Sequence, residues 1–154
     1  MIKRIHIYDL DGVLVDTSHR YRTNPDGTID LDYWMMMRSR KSIAKDRLLP
    51  HAKQYIQDNL NESTYTIICT SRTWHTDDIE FIVGRLGAPD KLMMRPENNW
   101  QADDVLKLQQ LKSFFQLKQW RDVPKTFWDD NRRNLNAVSL LGVRTIHVQS
   151  NQGL

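Results

Sequence analysis

The chain of 154 residues holds a single cysteine, Cys69, so no internal disulfide can form and no thiol pair is available to a metal. No apolar run approaches the roughly 18 residues needed to span a membrane. The five histidines (His6, His19, His51, His75 and His147) show no metal-ligand spacing. The opening, Met1-Ile2-Lys3-Arg4-Ile5-His6, reaches Asp9 before the apolar region of a signal peptide can form. Repeats and low-complexity tracts are missing too. These absences set aside a disulfide scaffold, a membrane protein and a thiolate or zinc centre. They predict a cytoplasmic protein with no membrane partner and no obligate protein partner.

What is present fits one domain over residues 1–154. Hydrophobic residues make up 40% and charged residues 27%, enough for a core under much polar surface. Strand-like runs fall at Ile2–Tyr8, Tyr65–Cys69, Lys91–Met94, Thr126–Trp128 and Thr145–Val148. Helical patterns fall between them, at about 50–60, 76–87, 102–119 and 131–141; in the third, Val105, Leu108, Leu111 and Phe115 follow the 3.6-residue period. Gly87 and Gly142 stand where helices should stop. Alternation of this kind predicts an α/β fold, a parallel sheet with helices on both faces, whose ligands bind beyond the carboxyl ends of the strands.

Residues 16–49 break the alternation and read as a small flap or cap insertion. Asn24-Pro25-Asp26-Gly27 is a turn signal, and Leu31 to Arg47 has helical character, with Trp34, Met35 and Met36 at apolar positions and the methionine run suited to core filling. Net charge is +3, unevenly spread. Between Thr17 and Lys53 stand eight Lys or Arg and four acids, a net of +4 that leaves −1 for the remainder. A basic stretch of this kind suits a polyanionic substrate, and equally a solvated helix face.

The chemistry concentrates in Asp9-Leu10-Asp11-Gly12-Val13, at the exit of the first apolar run. Two carboxylates one residue apart are costly unless positive charge lies near them. At this spacing they can share a cation, one attacking phosphorus while the other handles protons. Phe127-Trp128-Asp129-Asp130-Asn131 repeats the pattern of a strand running into adjacent acids, and Asp130 or Asn131 also suits a helix cap. Hard oxygen donors without a Cys/His cluster point to Mg²⁺. Thr70 follows Ile67-Ile68-Cys69, which places its hydroxyl at a strand's carboxyl end.

The segment from Ile5 to Asp16 resembles the first motif of the haloacid dehalogenase-like hydrolases, and so implies a Rossmann-like fold. The resemblance implies that Asp9 is a nucleophile forming an aspartyl-phosphate and that Asp11 is the acid and base. It gives Thr70 a hydrogen bond to a phosphoryl oxygen. It also asks for a lysine. Lys107 and Lys112 compete, and Lys107 has the better reach, since Lys112 lies about 7.5 Å further along the helix from the sheet's carboxyl edge. Asp103, four residues before Lys107, can hold it. The metal shell falls to Asp9, Asp11 through its backbone carbonyl, and Asp129 or Asp130. Ser71 departs from the glycine common in related Ser-Gly-Arg segments.

A narrower resemblance runs through Asp16-Thr17-Ser18-His19-Arg20, Thr70-Ser71-Arg72, Met94-Arg95-Pro96-Glu97, Asp103-Asp104-Val105-Leu106-Lys107 and Asp129-Asp130-Asn131-Arg132. These look like the phosphatase domain of the phage-type polynucleotide kinase/3′-phosphatases, which implies that Arg20 and Arg72 face the substrate phosphate and strand. Trp74 and Trp100 lie near predicted site loops, where either could stack on a base or pack in the core. No Gly-x-x-x-x-Gly-Lys-Ser/Thr loop occurs, so the expectation is a stand-alone phosphatase acting on nucleic acid 3′-phosphate ends. The alternatives are a 5′-nucleotidase or other small-molecule phosphatase, and a non-catalytic binding module. The substrate is accordingly a phosphorylated nucleic acid end or a nucleotide.

Overall fold

In the computed structural model, which describes residues 1–150, five parallel strands form one twisted sheet in the order β5-β4-β1-β6-β7. They are β1 (Arg4–Tyr8), β4 (Thr64–Thr73), β5 (Lys91–Arg95), β6 (Lys125–Asp129) and β7 (Arg144–His147). The five runs read from the sequence are these five strands. β1 lies at the centre, paired with β4 on one side (Ile7 opposite Ile67) and β6 on the other (Ile7 opposite Phe127).

Alternate side chains of β1, β4 and β6 enter opposite cores, as the two-residue period of a strand demands. Ile5, Ile7, Ile67, Cys69 and Phe127 pack with Leu111 and Phe115 of α5 (Asp103–Phe115) and with Leu135 and Val138 of α6 (Arg132–Ser139). Tyr8, Ile68 and Trp128 face the other way. They meet Ala52 and Tyr55 of α3 (His51–Asn59) and Phe81 and Ile82 of α4 (Thr76–Arg85). Both sheet faces are therefore covered, the architecture expected from the alternation. Among the described residues no helix is long and apolar enough to cross a membrane.

Gly12 adopts φ +83°, a conformation that L side chains resist, and the chain folds back so that the Gly12 amide donates to the Val15 carbonyl at 2.9 Å. The turn delivers β2 (Val15–Asp16), which pairs antiparallel with β3 (Arg47–Leu48) and closes segment 16–49 at its base. The turn at Asn24–Gly27 forms as read, with the Gly27 amide donating to the Asn24 carbonyl at 2.9 Å.

Two expectations for this segment need correction. Leu31–Arg47 is not one helix. Ser39 sits in extended conformation and caps a second short helix, its Oγ accepting from the Ser42 amide at 3.1 Å. The result is α1 (Leu31–Met36), α2 (Arg40–Ile43) and then a strand that includes Arg47. Met35 and Met36 do not fill the core; Met36 is 69% exposed.

Ile7 is completely buried on the central strand. Truncation there removes contacts that the surrounding helices cannot replace. Ile7→Ala is expected to lower unfolding free energy by about 2–5 kcal/mol and Ile7→Val by about 0.5–1.5 kcal/mol, measured by urea denaturation.

Candidate active site

The carboxyl edge of the sheet gathers the candidate residues. Asp9 follows β1, and Asp129 ends the neighbouring β6. One carboxylate oxygen from each of Asp9, Asp129 and Asp130 lies within 4.8 Å of the others. Asp9 and Asp129 are buried, Asp130 partly so. Acids separated by about 120 residues of chain thus converge because their strands are neighbours in the sheet.

Lys107 holds them together. Its ammonium donates to Asp9 at 2.8 Å and to Asp129 at 2.9 Å, and lies 5.7 Å from the centre of the Phe127 ring. Lys112 is exposed in the last turn of α5, so of the two candidate lysines it is Lys107 that lies against these carboxylates. Asp103 does not hold Lys107; it pairs with Arg95 at 2.7 Å. Asp129 is further fixed by the Asn131 amide at 2.8 Å and by the side-chain amide of Asn134 at 3.1 Å. Asn131, rather than Asp130, caps α6 by accepting from the Arg133 amide at 2.9 Å.

One ammonium does not balance three clustered carboxylates. Burial, with Asp129 beside it, pushes the Asp9 carboxyl well above the usual carboxylate range against the pull of Lys107. The same causes push Asp130 up to about 6. Burial opposes the charge on Lys107, but Asp129 and Asp9 prevail and hold it protonated. Oxygen-only donors, a shared focus and surplus negative charge fit a hard divalent cation such as Mg²⁺.

The Asp11 side chain points elsewhere. Burial disfavours its charge, but Arg72 outweighs burial and holds the carboxyl below its ordinary value. Arg72 donates to Asp11 through Nε at 3.0 Å and Nη2 at 2.7 Å. It does not face open solvent at the site: it also reaches Asp78 at 2.8 Å and Asp46 at 3.2 Å. Arg72 lies where the register between β4 and β5 is irregular, between Cys69 and Thr73, with β4 continuing past the strand end read at Cys69. Thr70 is buried in the same stretch, its hydroxyl oxygen accepting from the Arg72 amide at 3.2 Å.

Arg20 is completely buried and grips Asp46 with two hydrogen bonds, at 2.8 and 2.9 Å, while its Nη1 has no partner. His19 also contacts Asp46 at 2.8 Å, and Arg38 reaches Asp78 at 3.2 Å. The Trp34 ring covers this network, 4.2 Å from the Arg20 guanidinium carbon and 5.8 Å from that of Arg72.

The basic stretch is therefore largely neutralised. Arg20, Arg22, Arg38, Arg40 and Arg47 each pair with an acid. Trp100 is 89% exposed, and Trp74 is half-exposed at the mouth of a separate cleft.

Sequence reading missed Asp46, Asp78, Asn134 and the placement of Trp34. Asn134 left a usable signal, a polar residue sharing the buried face of α6 with Leu135 and Val138. Asp78 stands in a helix's first turn, where an acid is ordinary, and Asp46 counts in the sequence only as one acid among many bases.

This fold is that of the haloacid dehalogenase-superfamily hydrolases. The chain resembles D,D-heptose 1,7-bisphosphate phosphatase of B. bronchiseptica, solved with magnesium and phosphate, at TM-score 0.58 and 15% identity over 97% of this chain and 83% of that one. A hydrolase of this superfamily from Geobacter sulfurreducens matches at TM-score 0.62 and 13% identity, covering 94% and 86%. A chain of the Pnkp1/Rnl/Hen1 RNA repair complex matches at TM-score 0.68 and 17% identity, covering 96% of this chain but 42% of that one. This chain thus spans less than half the length of that RNA-repair protein, and at these identities the likeness is one of fold.

Sequence relatives narrow the class. The family model for bacteriophage T5 5′-deoxynucleotidase matches residues 1–152. The 5′-deoxynucleotidase of Escherichia phage T5 is 26% identical over 168 residues, covering 97% of this chain and 68% of that protein. The chain belongs to the bacteriophage T5 5′-deoxynucleotidase family and is a phosphomonoester hydrolase of haloacid dehalogenase type.

The raised Asp130 carboxyl has a consequence for stability. With metal chelated, folded protein holds this proton more tightly than the unfolded chain between about pH 4 and pH 6. Stability from this group therefore falls as pH rises through that window. Asp11 acts below it, because its carboxyl is lowered. Thermal melting in chelator should lose less stability between pH 5 and pH 7 in Asp130→Asn than in wild type; equal losses would contradict the assignment.

Proposed function

We propose that the chain hydrolyses 5′-deoxynucleoside monophosphates through an aspartyl-phosphate on Asp9. The observation that carries this reading is the convergence of Asp9, Asp129 and Asp130 around one focus, with Lys107 tying Asp9 to Asp129. Family membership directs the substrate toward a 5′-deoxynucleotide rather than a nucleic acid 3′ end.

Asp9, Asp129 and Asp130 are the side chains that would hold Mg²⁺, with the backbone carbonyl of Asp11 as a further ligand. When bound, the ion supplies positive charge to offset these carboxylates and the phosphate. The remaining work belongs to the chain. Lys107 orients the Asp9 carboxylate. An Asp9 oxygen attacks phosphorus in line, and the bond from phosphorus to the nucleoside 5′ oxygen breaks. Asp11 gives its proton to that oxygen, and the nucleoside leaves. Asp11 then takes a proton from water as the water attacks phosphorus, releasing inorganic phosphate and the Asp9 carboxylate. Thr70 donates a hydrogen bond to a phosphoryl oxygen. Positioning and charge stabilisation are the main contributions in such a transfer.

Arg72 couples the proton step to binding. A phosphate that draws Arg72 away from Asp11 would move Asp11 toward the protonated form needed first. Arg20, whose Nη1 is buried without a partner, is the second guanidinium on this side. Segment 16–49 acts as the flap that carries it.

Asp9→Asn should show no measurable turnover, and Asp11→Asn should slow kcat by about 10²–10⁴. Chelation should abolish activity and Mg²⁺ restore it. The substrate is tested by kcat/KM for deoxynucleoside 5′-monophosphates against a 3′-phosphorylated oligonucleotide and sugar phosphates. Preference for the 5′-monophosphates is expected. Preference for the oligonucleotide would make this a 3′-end phosphatase, and inertness toward every phosphoester would leave a non-catalytic module.

A further inference from the structure

We propose that Trp34 is the specificity-determining residue of the leaving-group side of the site, an aromatic surface that stacks on the nucleobase of the substrate. The inference rests on the assignment of Asp11 as proton donor. A donor must face the oxygen it protonates, so the nucleoside lies on Asp11's side of the phosphorus. That side is built from Arg72, which grips Asp11 at 2.7 and 3.0 Å, and from Arg20 beside it on Asp46. Trp34 covers both guanidiniums, 4.2 Å from Arg20 and 5.8 Å from Arg72.

Beyond covering these cations, the ring does not serve the core. Trp34 belongs to neither hydrophobic core cluster and stays partly exposed on a helix whose Leu31, Met35 and Met36 face solvent. The indole is seated against two guanidiniums that the buried carboxylates of Asp46 and Asp78 hold. A flat ring held rigid next to the departing alcohol suits an aromatic heterocycle, since stacking demands a preorganised plane and tolerates any base.

A rival aromatic exists. Trp74 lines a cleft of about 510 Å³ with Leu92 and Met94 of β5 and with Pro96 and Glu97 just after it. Among the described residues, however, the ring seated over Arg72 is that of Trp34, and Arg72 is the residue that touches Asp11.

The test compares thymidine 5′-monophosphate with 2-deoxyribose 5-phosphate, the same ester without a base. It is run on wild type, Trp34→Leu, Trp34→Phe and Trp74→Ala. Wild type should prefer the nucleotide. Trp34→Leu, which keeps an apolar cover but no aromatic plane, should raise KM for the nucleotide about 5- to 100-fold more than KM for the sugar phosphate. Trp34→Phe should retain most of the preference. Equal losses on both substrates in Trp34→Leu would reduce Trp34 to a structural cover and overturn the inference. So would loss of the preference in Trp74→Ala instead. Nucleotide hydrolysis with an unchanged preference in Trp34→Leu overturns this inference alone. A wild type inert toward nucleotides overturns the functional reading and the inference with it.

Discussion

The bridge from Lys107 to Asp9 and Asp129 is the interaction on which the site depends. The neighbouring strands β1 and β6 both run into carboxylates at the same edge of the sheet, and without compensation those charges would repel or take up protons. Lys107 reaches both from α5, buried, with its ammonium 5.7 Å from the centre of the Phe127 ring. The lysine is matched to two acids but faces three, because Asp130 adds its charge to the same focus. That surplus of negative charge would suit a divalent cation. A fully neutralised cluster would have no electrostatic reason to take one.

A second network sits beside the first and has a different character. Arg72, Arg20 and Arg38 share Asp11, Asp46 and Asp78, three cations against three anions. Buried pairs of this sort add little net stability, yet removing one partner leaves a stranded charge. The network therefore acts as a geometric constraint. Asp46 and Arg20 come from segment 16–49, and Arg72 and Asp78 from the core, so the segment is fixed against the site by charge as well as by the β2–β3 pairing. Asp9 and Asp11, two residues apart, end up in opposite electrostatic surroundings. One lies among acids that raise its carboxyl, the other against a guanidinium that lowers it.

Much of this was legible in the sequence, and the reason differs by element. β1, β4 and β6 announce themselves as apolar, β-branched runs because both faces of a parallel sheet are buried. Asp9, Asp129 and Lys107 could be placed because they stand at strand ends or in a helix's first turns, where topology alone fixes position. Arg72 was found but not its company. It lies in a stretch of irregular register that no local pattern signals, and one of its partners is Asp46, which bonds residues 26 positions away on either side. Helical periodicity from Leu31 to Arg47 gave one long helix where Ser39 divides two, since a serine can cap as readily as continue. Met35 and Met36 looked like core because hydrophobicity carries no information on which face meets the protein.

The claim at the centre is that Asp9 attacks phosphorus and carries it as an acyl phosphate. Rapid quenching of turnover with a deoxynucleoside 5′-monophosphate and Mg²⁺, followed by borohydride reduction and peptide mass spectrometry, reads this out directly. Conversion of Asp9 to homoserine, dependent on substrate, is the predicted result. Active turnover with Asp9 unreduced, or with the reduced residue at another carboxylate, would contradict it.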